Sequence, residues 1–206
     1  MKAIIFDFDG TIADSFVVFI EVFDEIAGRS RRLTAKEIES LGGQSLKEIL
    51  KYLKIRSWQI PRLVIKGKKA LGLRILDIKP FPNMPKTLQQ MHQSGYKMYI
   101  LSTNSSAHIS KFLRANKLDP YFVDIYGDIG LRGKSAGLKK LIKAEGLSAG
   151  QCIYVGDETR DIEAGRKADI AVLAVGWGFN HPRTLKRLEP DFFAAEPNQI
   201  LKLLDN

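Results

Sequence analysis

The chain predicts an α/β fold: a doubly wound parallel sheet with a small all-helical module inserted after the first strand. Three observations carry this reading. Short apolar runs alternate with helical patterns through the last two thirds of the 206 residues, as strands joined by crossover helices do. Several of those runs end in polar clusters, where open α/β sheets gather their ligands. Residues 14 to 79 break the alternation and show helical spacing alone.

The first strand is the run Ile4-Ile5-Phe6-Asp7-Phe8-Asp9, and residues 1 to 13 hold it together with a turn at Gly10. Residues i and i+2 of a strand share a face, so Asp7 and Asp9 are expected to point the same way. Two like charges that close call for a bound cation to offset their repulsion. An ordinary acidic turn at Asp9-Gly10 is the plain alternative.

Beyond the turn, Phe16, Phe19, Ile20, Phe23 and Ile26 recur at helical spacing and stop before Gly28. Thr34 and Glu37 form the capping-box pattern of a second helix. Leu46, Ile49, Leu50 and Leu53 mark a third, and Leu63, Val64 and Leu71 after Pro61 mark a fourth. Residues 14–79 therefore read as a helical cap, and residues 1–13 with 80–206 as the main domain. The crossings near Ala13-Asp14 and Lys79-Pro80 are the natural hinges.

The stiff segment from Pro80 to Pro85 returns the chain to the main domain and opens a helix over Lys86 to His92. Strands are expected near 96–102, 122–127, 151–156, 170–175 and 191–194. Helices are expected at 106–116, 134–145, 160–168 and 197–204. Polar clusters follow three of these boundaries: Ser102-Thr103-Asn104, Gly133-Lys134-Ser135, and Gly156-Asp157-Glu158-Thr159-Arg160-Asp161.

Composition narrows the classes. The lone Cys152 excludes an internal disulfide and reads as a packing residue, and three histidines without paired spacing argue against zinc. No stretch has the length of a membrane span and no leader precedes the first strand, so a cytoplasmic protein is expected. The net charge is +9, and most of it sits in the insert, whose fourteen basic side chains outnumber its acids. A positive lid could steer small anions into a cleft, at rates that fall as salt screens it. Nucleic acid is not expected as a partner, because aromatic and basic residues are not interleaved as in base-stacking surfaces. Trp58 reads as part of the insert's core or rim.

With these motifs in order, the chain resembles the haloacid dehalogenase-like superfamily of phosphohydrolases. Its DxDGT motif matches Asp7, Asp9, Gly10 and Thr11; its Ser/Thr motif matches Ser102; its Lys motif matches Lys134; its GDxxxD motif matches Asp157 and Asp161. The loop Val175-Gly176-Trp177-Gly178-Phe179-Asn180 is similar to one in the phosphoglycolate-phosphatase-like branch. The resemblance implies a Rossmann-like core and a Mg²⁺-dependent phosphatase of a small phosphorylated metabolite. Asp7 would be the nucleophile and Asp9 the acid and base. Asp7, Asp9 through its carbonyl, Asp157 and Asp161 would hold the metal.

Ser102, Thr103, Asn104, Lys134, Gly10 and Thr11 would surround the phosphate, with either Ser102 or Thr103 as the binding hydroxyl. Lys134 would pair with Asp7 and Asp157 when phosphate is absent. Gly43 and Gln44, between two insert helices, are candidates for substrate selection. Thr11 also reads as a turn cap, Glu158 and Arg160 as a surface pair, and Asn180-His181 as plain loop. A sugar phosphomutase uses the same acid pair, and a polyanion-binding protein would use the basic insert. The sequence assigns no oligomeric state.

Overall fold

The computed structural model describes residues 3–27, 31–44, 46–130 and 133–204, without the side chains of 46, 47, 57 and 61–64. Strand β1 (Ala3–Phe6) leads through a turn into a two-residue strand, β2 (Ala13–Asp14). Four helices follow: α1 (Phe16–Ala27), α2 (Ala35–Ser40), α3 (Leu46–Tyr52) and α4 (Ile60–Leu73). Strand β3 (Lys79–Pro80) then pairs antiparallel with β2, Ala13 opposite Pro80 and Asp14 opposite Lys79. The two crossings between insert and sheet are thus tied to each other, in strands too short for any sequence pattern to reveal.

The rest of the chain alternates as expected: α5 (Met84–Gln93), β4 (Lys97–Leu101), α6 (Ser106–Ala115), β5 (Phe122–Tyr126), α7 (Lys134–Ala144), β6 (Cys152–Gly156), α8 (Thr159–Lys167), β7 (Ala171–Val175), α9 (Pro182–Lys186), β8 (Phe192–Ala194) and α10 (Gln199–Leu204). Six strands form one sheet in the order β5-β4-β1-β6-β7-β8, and every pairing in it is parallel. Strand order reverses at β1, which places its carboxyl end at the sheet's ligand-binding crevice.

Each central strand is buried on both faces, as a parallel sheet requires. Ile4, Phe6, Met98, Ile100, Ile153 and Val155 point to one face, where Met84, Leu88, Ile109, Phe112 and Ile200 cover them. Ala3, Ile5, Tyr99, Leu101, Cys152 and Tyr154 point to the other, against Leu138, Leu141, Ala164 and Ala168. Among the described residues the insert has no separate core: Ile20, Phe23, Ile38, Leu41, Ile49 and Leu53 join the same apolar cluster as Phe8 and Ile12. Thr34 and Glu37 form the expected capping box.

The structure moves some expected boundaries. Strand β1 ends at Phe6, although the Asp7 amide still donates to the Val155 carbonyl at 2.8 Å. Helix α5 begins at Met84 because Asn83, at φ 66°, turns the chain in the left-handed region just before it. Helix α9 was not foreseen, since five residues carry no readable periodicity; the His181 side chain caps it and Pro182 opens it. Trp58 is 72% exposed and belongs to the rim. Gly28 and Ser45 lie outside the described residues, as do the side chains of Leu46, Leu63 and Val64. Among the described residues no helix is long and apolar enough to cross a membrane.

Phe8 lies between the two acids of the turn, with Phe112 edge-on to it at a centroid distance of 5.0 Å. Both rings are fully buried. Phe112→Ala should therefore cost about 3–5 kcal/mol and lower the urea midpoint, and the denaturant slope should be unchanged.

Candidate active site

The turn after β1 is held by its own backbone. The amides of Ile12 and Ala13 both donate to the Phe8 carbonyl, and the Gly10 amide donates to the Ala13 carbonyl at 2.9 Å. Gly10 has φ +79°, and a Cβ there would overlap the Asp157 carboxylate. Only glycine satisfies both conditions. The turn pushes Asp7 inward, where it is 3% exposed, and leaves Asp9 nearer the surface.

Lys134, the first residue of α7, reaches under this turn. Its Nζ donates to Asp7 Oδ2 and to Asp161 Oδ1, each at 2.5 Å, and all three side chains are at most 4% exposed. The expected pairing with Asp157 is corrected here: the first turn of α8 swings Asp161 to the lysine. Tyr154 also donates to Asp161 Oδ1, and the Glu158 amide donates to Oδ2. Asp157 has other partners, accepting from the Thr11 hydroxyl at 2.9 Å and from the Phe179 amide at 2.7 Å.

One carboxylate oxygen from each of Asp7, Asp157 and Asp161 lies within 4.8 Å of the others. Burial and acidic neighbours set the electrostatics. Desolvation raises Asp7 to about 7, against the pull of Lys134. Asp157 is raised well above its ordinary value by burial, then by Glu158, Asp161 and Asp7. Burial pulls Lys134 down, but Asp161 and Asp7 outweigh it and hold the ammonium charged. Three hard oxygen donors facing one another, with a single buried lysine between two of them, suit a divalent cation. The three carboxylates are the candidate ligands, and both oxygens of Asp157 and of Asp161 already accept hydrogen bonds from the protein.

Ser102 and Asn104 close the other side. Ser102 is 1% exposed, and its Oγ accepts the Asn104 amide at 3.1 Å, which leaves the hydroxyl proton available to donate. Thr103 points instead into the cavity between sheet and insert. Asn104 Nδ2 donates to Asp9 Oδ2 at 3.0 Å. Asp9 therefore has a different partner from Asp7, which is held by Lys134. Burial raises Asp9, and the Asn104 bond opposes it. His108 Nδ1 lies 3.3 Å from Asn104 Oδ1.

The cavity has a volume of about 130 Å³. Asp9, Thr103, Asn104, Glu158 and Arg160 line it from the sheet side, and Phe19, Phe23, Gln44, Leu50, Lys68 and Leu71 from the insert. Gln44 thus faces the cavity, whereas the Gly43 carbonyl accepts the His181 amide at 3.2 Å and Gly43 bridges to Asn180. Thr11 was grouped with the phosphate contacts; its hydroxyl is committed to Asp157, and the Gly10 amide to the turn. Glu158 and Arg160 do pair, at 2.5 Å, but inside this cavity and not on the surface.

The sequence singles out the loop after β7 by resemblance but assigns its residues no contacts, and reads Asn180-His181 as plain loop. Trp177 Nε1 donates to the Thr11 carbonyl at 3.0 Å, and Asn180 Oδ1 accepts the Thr159 amide at the start of α8. The Phe179 ring lies 5.5 Å from both Phe16 and Phe19 of α1. Three consecutive glycine and aromatic residues, Trp177-Gly178-Phe179, were the available signal. A Cβ at Gly178 would overlap Asp157.

The fold and site define a hydrolase class: residues 4–175 match the haloacid dehalogenase-like hydrolase family, and the chain belongs to it. Among its relatives is the phosphoglycolate phosphatase of Synechococcus elongatus, 31% identical over 204 residues, spanning 98% of this chain and 96% of that one. The phosphoglycolate phosphatase of Aquifex aeolicus is 27% identical over 212 residues, covering 100% and 98%. A solved haloacid dehalogenase-like family protein from Streptococcus pneumoniae superposes with a TM-score of 0.80 at 26% identity, covering 99% and 98%.

Because Asp7, Asp9 and Asp157 are all raised in the fold, the metal-free native state holds protons that the unfolded chain has released. The cluster's contribution to stability is then full below about pH 4 and is lost as pH rises through about 7. Thermal unfolding of metal-free protein should show the melting temperature falling between pH 5 and pH 8. A divalent metal should raise it most at pH 8, where the acids are ionised.

Proposed function

We propose that the protein is a Mg²⁺-dependent phosphatase of a small phosphomonoester, acting through an aspartyl-phosphate on Asp7. The observation that carries this is Asp7 itself: a buried carboxylate held by Lys134, beside Asp157, with a second and separately held acid, Asp9, facing the cavity. An Asp7 oxygen attacks phosphorus as the bond to the leaving oxygen breaks, and Asp9 gives that oxygen a proton. Asp9 then takes a proton from the water that attacks the phospho-aspartate, which releases phosphate and frees Asp7. The raised affinity of Asp9 for its proton suits the first of these duties.

Asp7, Asp157 and the Asp9 carbonyl would hold Mg²⁺, with Asp161 in support through water. When bound, the ion offsets charge on the phosphoryl oxygens. Ser102 and Lys134 would donate to those oxygens, Lys134 giving up part of its grip on the acids. Thr11 positions Asp157, and Asn104 orients Asp9. Residues 14–79 would act as a cap that opens about the β2–β3 ribbon, and Gln44 would contact the leaving group.

The curated relatives are named as phosphoglycolate phosphatases, so a phosphoglycolate-like ester is the substrate class we assign. A phosphomutase would use the same acids but return the phosphoryl group to a sugar.

Release of inorganic phosphate from a panel of small esters, with Mg²⁺ and with chelator, tests the reading. The parent protein should release phosphate only with metal, Asp7→Asn should release none, and Asp9→Asn should be slower by about 10²–10⁴-fold. Phosphate transfer between positions of a sugar phosphate, without net release, would favour the mutase instead.

A further inference from the structure

We propose that Arg160 forms a second anion subsite in the cavity, so that the preferred substrate carries a carboxylate or similar anion on its leaving group. The inference rests on the phosphatase reading for the identity of the phosphate end and adds how the other end is recognised.

Arg160 sits in the first turn of α8, one residue before Asp161, and lines the cavity together with Asp9. Its Nη2 is anchored by Glu158 Oε1 at 2.5 Å, with side-chain exposures of 32% and 13%. The anchor takes one donor of the guanidinium and leaves others over: Arg160 Nε, on the same side of the fork as Nη2, is buried and has no hydrogen-bond partner. A buried donor without an acceptor costs free energy, so a ligand oxygen that reached Nε on a shift of the side chain would recover it. Guanidinium is a planar donor fork that suits carboxylate geometry.

The surroundings make this position selective. Much of the cavity wall is apolar, with Phe19, Phe23, Ile49, Leu50, Leu71 and Phe179 facing it. An anion placed against that wall would be desolvated without compensation. Among the described lining residues the cations are Arg160 and, across from it on α4, Lys68. Lys68 is only loosely engaged, 3.9 Å from Asp128 with both side chains exposed. Glu158 shares the cavity and takes one donor of Arg160, so a second anion would be held by the donors that remain. A substrate with its leaving oxygen at Asp9 therefore has one region of the cavity prepared for a second negative group.

The test compares 2-phosphoglycolate with 2-hydroxyethyl phosphate, which matches it in size but ends in a neutral hydroxyl. Two readouts are taken: kcat/KM for each ester, and the Kd of each for the Asp7→Asn protein by titration calorimetry. Each is repeated with Arg160→Gln and Arg160→Lys. The proposal expects the ratio of kcat/KM favouring phosphoglycolate to fall about ten- to hundredfold in Arg160→Gln, the size of a charge-assisted hydrogen bond. The change should lie in KM, with part of the preference retained in Arg160→Lys, and the ratio of Kd values should move in parallel.

Ratios within twofold of the parent in both variants would overturn it, as would an equal loss on both esters, which would place Arg160 on the transferred phosphoryl group. If the parent hydrolyses neither ester, the phosphatase reading fails, and the Kd ratio still decides the subsite. Arg160→Lys keeps the decision open should Arg160→Gln not fold.

Discussion

The structure depends on one electrostatic constraint: carboxylates from β1 and α8 are brought together out of water, and Lys134 is the buried cation that makes this tolerable. Its two 2.5 Å contacts join Asp7 at one end of the chain to Asp161 near the other. An uncompensated buried charge destabilises a fold strongly, and a paired one does so much less. The parallel sheet supplies the geometry, since β1 and β6 lie side by side and both release their acids at the same edge. The sheet's burial on both faces holds that edge still, because Phe8 packs on Phe112 between the two acids of the turn.

Compensation by one lysine is incomplete, and the raised proton affinities of Asp7 and Asp157 record the remainder. An acid cluster that holds protons when empty would exchange them for a bound cation, and Lys134 would then be freed to meet an incoming anion. The loop after β7 extends the same arrangement outward. Phe179 donates its amide to Asp157 and lays its ring on α1, while Asn180 holds the start of α8 and meets Gly43 of the insert. Asp157 and the insert that covers the cavity are thus fastened to a single short segment.

Much of this was legible in the residues. The apolar run through Ile4, Ile5 and Phe6, the turn at Gly10, and the alternation from β4 to α10 follow from local pattern, and the Thr34 cap follows from side-chain chemistry. Which acid meets Lys134 was not legible: Asp157 and Asp161 are four residues apart, and the choice depends on how α8 turns away from β6. The cavity position of Arg160 escaped for the same reason, because Glu158 beside it reads as a surface partner until the insert is in place. Strands β2 and β3 and helix α9 are too short to show a period. The role of Trp177 and Phe179 depends on contacts with Thr11 and Asp157, far away in sequence, which no local rule encodes.

The central claim is that Asp7 accepts the phosphoryl group inside a metal site shared with Asp157. A crystal structure of the protein with Mg²⁺ and beryllium fluoride, a phosphoryl mimic, tests it most directly. The account predicts beryllium bonded to an Asp7 carboxylate oxygen, the metal between Asp7 and Asp157, and Lys134 and Ser102 donating to fluorine. Beryllium on another side chain, or a metal bound away from Asp157, would contradict it.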